Sequence, residues 1–158
     1  MIANCRMSRF AFLGVLVATM LAAFSAVAPV QAGPVYTGFS SGIALDGHDA
    51  GSYFEAGEPV KGSAEFTAKH NGATWHFASA ANRDAFAANP EKYAPQYGGH
   101  CAWAASKGYV AKGSPDAWKI VDGKLYLNYD QAVQQRWASD IPGNISKADK
   151  TWPTVKTD

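Results

Sequence analysis

Four side chains of this sequence could do chemistry together: His48 in "DGHD", His76 in "TWHF", and the adjacent His100 and Cys101 in "YGGHCAWA". Imidazoles plus one thiolate make a donor set suited to copper or zinc, and two histidines with a cysteine are a familiar copper set. Neighbours on a helix project about 100° apart, so His100 and Cys101 could share an ion only if the Gly98-Gly99 turn holds His100 outside the helix. His76 and His48 are then the partners that folding could bring to Cys101. A cysteine at the start of a short helix is also drawn toward thiolate by unsatisfied N–H groups and the helix dipole.

That thiolate has three readings. It is a metal ligand, or a metal-free redox or hydrolytic nucleophile with a histidine base and Asp46 or Asp49 as orienter, or a small interior residue packed among Trp103, Ala104 and Ala105 in a scaffold or small-ligand module. Geometry separates them. A metal needs two imidazoles at coordination distance, a nucleophile needs exposure and one base, and a packing residue needs burial. As a whole the chain reads as a binding module before an enzyme. No phosphate-binding glycine loop occurs, because "GFSSG" and "YGGHCAW" lack both its spacing and its lysine. His70, beside Asn71-Gly72, reads as a solvated turn residue.

The first 32 residues set the compartment. Arg6 and Arg9 precede an uncharged stretch from Phe10 to Ala28 that ends in Val30-Gln31-Ala32, the order of a secretory signal. Residues 1–32 are therefore expected to be removed, and the protein to be exported to a periplasmic or extracellular space without stable membrane association. Residues 33–158 are enough for one domain with one core, over about residues 43–153. Cys5 and all three methionines fall in the signal, so the exported part holds one cysteine and no thioether. It can form no internal disulfide, and a disulfide-linked dimer through Cys101 is open. Twelve basic residues against 13 acidic remain, with no basic tract, which argues against nucleic acid as a partner. The expected partner is a metal ion or a small ligand.

The elements that would position these residues are short. "SAEFTAKHNGATWHF" reads as a hairpin through Asn71-Gly72, with Trp75 and Phe77 on one face and His76 on the other. Ser79 caps a helix over "AANRDAFAAN" that Pro90 stops. "HCAWAASK" reads as a short helix ended by Gly108. "DAWKIVDGKLYLNY" is a second hairpin through Asp122-Gly123, with Trp118, Ile120, Leu125 and Leu127 inward. "DQAVQQRWASD" is a helix with Val133 and Trp137 at i and i+4, and "IPGNISKADKTWP" a last turn or short helix. Hairpins interleaved with short helices make an α+β domain. No internal repeat stands out.

Trp75-His76-Phe77, Ser79, Phe86 and Asn89-Pro90-Glu91-Lys92-Tyr93, with "ALDGHDAGSYF" upstream and "DGKLYLNY" and "DIPGNI" downstream, resemble the YHS domain family, specifically its longer exported branch. The resemblance implies a small module associated with heavy-metal handling. In metal-binding members the strand-to-helix stretch reads phenylalanine, cysteine, serine, then a second cysteine three residues on. Ala78 and Asn82 stand at those two positions here, and Ser52 at that of a further, early cysteine. The relatives' thiolates are thus absent and their ligand set does not carry over, which leaves Cys101. Tyrosine often stands in that branch at the positions of His48 and His100, so this chain is the richer in imidazole.

Overall fold

The computed structural model describes residues 34–38 and 42–155; the expected signal segment lies outside them. The chain runs α1 (Ser52–Glu55), β1 (Ser63–His70), β2 (Ala73–Phe77), α2 (Ala80–Ala88), α3 (Pro90–Tyr93), α4 (Ala102–Ser106), β3 (Ser114–Val121), β4 (Lys124–Asn128), α5 (Gln131–Ala138) and α6 (Ile141–Thr151). Two 3-10 turns, Ala44–Gly47 and Gln96–Gly99, precede α1 and α4. The domain is α+β, with two separate two-stranded antiparallel sheets, β1-β2 and β3-β4. Among the described residues no helix is long and apolar enough to cross a membrane.

Local chemistry explains the main elements. Asn71 and Asp122 both adopt positive φ (48° and 50°) before a glycine that does the same, so each hairpin closes on the turn pair whose backbone twist matches the strands. In β2 the alternation is strict, with Trp75 and Phe77 buried and His76 half-exposed between them. Ser79 Oγ accepts the Asn82 N–H at 3.1 Å and Asp130 Oδ1 the Val133 N–H at 2.8 Å, capping α2 and α5.

One expected element is longer than its sequence suggests. "IPGNISKADKT" is not a terminal turn but α6, at 11 residues the longest described helix. Asp140 caps it by accepting the Gly143 N–H at 3.0 Å, Pro142 falls in the first turn where its missing N–H costs nothing, and Ile145 and Ala148 turn one face inward. Its two early helix breakers, Pro142 and Gly143, hide it from a reading by propensity.

The interior has two clusters. Tyr53, Trp75, Phe77 and Phe86 centre the first, and Tyr97, Tyr126, Trp137 and Trp152 the second. Strand β4 divides them by its period of two: Leu125 and Leu127 point into the first, and Tyr126 between them into the second. Trp118 and Ile120 of β3 pack on the first cluster, and the Tyr53 hydroxyl donates to the Pro115 carbonyl at 3.1 Å, so the second hairpin is tied into the first cluster.

Candidate functional site

Cys101 lies just before α4 in extended backbone. Its N–H donates to the Ala111 carbonyl at 2.9 Å and its carbonyl receives the Ala105 N–H at 3.0 Å. The residue is 0 % exposed, and its Sγ lies 3.9 Å from Asn128 Oδ1. Burial pushes the thiol above its ordinary pKa, against the opposing pull of the Ala104, Tyr129 and Trp103 backbone N–H groups, with a small further rise from Asp130. This corrects the expectation of a helix-activated thiolate: five residues of helix supply little dipole, and desolvation outweighs the N–H groups.

The Gly98-Gly99 turn does hold His100 outside the helix, in extended backbone. Successive side chains of extended backbone leave on opposite faces, however, and the two residues part. The His100 ring, 7 % exposed, packs with its centroid 5.4 Å from Tyr36 and 5.3 Å from Trp152. Burial lowers its pKa, partly offset by the nearby carbonyls of Ala111 and Pro34, and its Nδ1 has no hydrogen-bond partner. The segment carrying Tyr36 is pinned there by the Tyr36 N–H on the Gly98 carbonyl at 2.9 Å.

The other two imidazoles sit by the 3-10 turn that precedes α1. His48 Nδ1 lies 3.0 Å from the Leu45 carbonyl, and His76 Nδ1 faces the bare Cα of Gly47, 3.7 Å from where a Cβ would stand. Among the described residues, no three His, Cys, Asp or Glu side chains are grouped to hold a metal. The expected set of Cys101, His100, His76 and His48 is therefore not gathered around one point. His70 is not a solvated turn residue: its ring meets the Phe86 ring edge-on at 5.8 Å, and its Nε2 lies 3.8 Å from Glu91 Oε1.

A second locus forms where the sequence pointed only to absent cysteines. Ser52, Ala78 and Asn82 come together around Asp49, which is 0 % exposed. The Asp49 carboxylate accepts the Gly51 N–H at 2.7 Å on Oδ1, and the Ala78 N–H at 2.9 Å and Asn82 Nδ2 at 2.7 Å on Oδ2. Ser52 Oγ lies 2.8 Å from the Asp49 carbonyl and 2.9 Å from that of Glu58, and accepts the Val60 N–H at 3.1 Å. These residues do not fit a soft metal. Ala78 offers no donor atom, the Asn82 amide and Ser52 hydroxyl are committed, and the one anion present is already satisfied by three N–H groups. Sequence reasoning named Asp49 beside His48 and as a possible orienter of a thiol nucleophile, and missed its place at this locus. The signal was Asp-x-Gly, where an aspartate accepts the N–H two residues on.

On the surface, Val121, Asp122, Ile141, Pro142, Ile145, Asp149 and Lys150 line an open recess of ≈ 500 Å³ beside the β3-β4 turn. Asp149 is held there by the Tyr97 hydroxyl, which donates to its Oδ1 at 2.9 Å.

No curated protein and no solved structure matches the chain. The YHS domain family model does, over residues 52–97, the span from α1 to the Tyr97 turn that contains Ser52, Ala78 and Asn82. Over that segment the chain carries a YHS domain.

Proposed function

We propose that this protein is an exported YHS-type binding module that takes a small ligand at its surface, with Cys101 as an interior residue rather than a metal ligand or a nucleophile. Copper or zinc held by Cys101 with His100, His76 and His48 is the competing reading, and a metal-free thiol enzyme is the third. The observation that carries the choice is the complete burial of Cys101 with Sγ against Asn128. Burial raises its pKa and keeps the weakly nucleophilic thiol form. The same burial argues against a disulfide-linked dimer. Export is supported by the order of basic start, apolar run and small-residue site in residues 1–32. The recess lined by Val121, Ile141 and Ile145 supports a ligand with an apolar body and a polar edge, because apolar linings with a few charged groups are how small-molecule sites bind and orient.

The test is native mass spectrometry of the purified protein, wild type and Cys101→Ser, loaded with one equivalent of Cu(I), Cu(II) or Zn(II). Neither protein is expected to retain an ion in a Cys101-dependent way. Retention by wild type and loss in the serine variant would restore the metal reading. A parallel labelling with a thiol reagent is expected to modify Cys101 only on unfolding, and rapid labelling of the native protein would favour the thiol enzyme.

A further inference from the structure

Residues 44–93 and 96–151 follow one plan. The 3-10 turn Ala44–Gly47 carries left-handed Leu45 and Asp46, and Gln96–Gly99 carries left-handed Tyr97 and Gly98. After each turn a histidine returns its N–H to the turn, His48 to the Leu45 carbonyl and His100 to that of Tyr97. Each histidine then bridges antiparallel to a lysine of a Lys-Gly-Ser run, Lys61 or Lys112. The residue after each histidine donates its N–H across the loop, Asp49 to the Val60 carbonyl at 2.8 Å and Cys101 to that of Ala111 at 2.9 Å.

The hairpins repeat the same register and the same irregularity. Ser63 pairs with Phe77 and Thr67 with His76, while Ser114 pairs with Asn128 and Trp118 with Leu127. A capped helix follows each, with one buried aromatic packed on the hairpin: Trp75 on Phe86 at 4.9 Å and 35°, and Tyr126 on Trp137 at 5.4 Å and 34°. The next helix opens in each case at a residue with φ −151°, Asn89 directly after α2 and Asp140 one residue past the Ser139 C-cap of α5. The family model reaches only the first of these units and the turn that opens the second. Few residue types are shared, which is why the repeat does not stand out in the sequence.

In this correspondence Cys101 stands where Asp49 stands. Asp49 collects the N–H of the residue two further on, Gly51, and of the residue just past the hairpin, Ala78. Trp103 and Tyr129 stand at the same two places in the second unit. In the second unit the acceptor is Asn128 Oδ1, which takes the Trp103 N–H at 3.3 Å and the Cys101 thiol at 3.9 Å. Asn128 is fully buried, and its Nδ2 has no partner.

We infer that residues 96–151 are a second YHS-like unit, and that the buried acceptor closing each unit is Asp49 in the first and Asn128, held by the thiol of Cys101, in the second. The inference stands apart from the proposed function, because it concerns how position 101 holds the fold, whatever ligand the surface takes. Position 101 therefore calls for a hydrogen-bond donor to Asn128 Oδ1, and an apolar group of equal size does not replace it.

The experiment compares the protein with Cys101→Ser and Cys101→Val by thermal unfolding and by amide hydrogen exchange read at Trp103. The serine variant, which keeps a donor to Asn128, is expected to hold the Trp103 amide as protected as in wild type, while valine loses at least tenfold protection there with the rest of the fold intact. A valine variant as protected as the serine variant would overturn the inference.

Discussion

The two halves of this molecule share a backbone plan and differ in what sits at its centre. The first unit is closed by a carboxylate that receives three N–H groups, 0 % exposed yet fully satisfied. The second is closed by a neutral thiol and an amide, with one amide N–H left over. A buried charge is tolerable only when donors already point at it, and here the donors come from the backbone. What the fold specifies at the centre of each unit is therefore a buried acceptor for a backbone N–H, Asp49 or Asn128, not a residue type. This gives the lone cysteine a role that needs neither metal nor substrate.

The comparison is broken most directly at the aromatic pair. Phe86→Ala in the first unit and Trp137→Ala in the second each remove a buried ring stacked on the hairpin, and each is expected to cost about 3–5 kcal/mol. Because Leu125 and Leu127 of the second hairpin pack into the first cluster, both substitutions should lower a single cooperative transition. Circular dichroism at 222 nm and tryptophan fluorescence followed through urea unfolding check this. Two separated transitions in either variant would mean that the units fold independently and that the shared strand couples them weakly.

These features were unequally legible in the sequence. Both hairpins could be read, because Asn-Gly and Asp-Gly pairs demand positive φ and the strands around them alternate. The Ser79 cap could be read for a similarly local reason. The site could not, because it depends on direction. Sequence adjacency puts His100 beside Cys101, yet extended backbone sends one to Tyr36 and Trp152 and the other to Asn128. The locus around Asp49 was hidden for the opposite reason: its partners Ala78 and Asn82 are 29 and 33 positions away, and nothing local announces that they meet. The repeat was hidden because it is carried by backbone conformation and register, with phenylalanine opposite tryptophan and serine opposite aspartate.

A smaller effect sharpens the correspondence at the helix starts. Ser79 and Asp130 each satisfy one otherwise orphaned N–H in the first turn, so Ser79→Ala and Asp130→Ala should each cost about 1 kcal/mol. If the two positions are equivalent, the crossed substitutions Ser79→Asp and Asp130→Ser should both hold stability near wild type in the same urea titrations. A crossed variant that behaves like its alanine counterpart would show that one of the caps is held by its surroundings rather than by the shared plan.

At neutral pH the least effect is expected from His100, and it appears as a slope. Its folded pKa is lowered, first by burial between Tyr36 and Trp152, so the unfolded chain binds the proton more readily. Above the ordinary histidine range the ring is neutral in both states and imposes no penalty. As pH falls from that range toward the lower folded pKa, protonation favours the unfolded chain and stability declines. The Tyr36 segment and Trp152 are the contacts that a charged ring would disturb first. Thermal unfolding between pH 7 and pH 5 should therefore show a decline in wild type that His100→Phe flattens, since a phenyl ring keeps the aromatic packing and cannot take up the proton. A slope that survives His100→Phe would take the acid sensitivity away from this ring and its contacts with Tyr36 and Trp152.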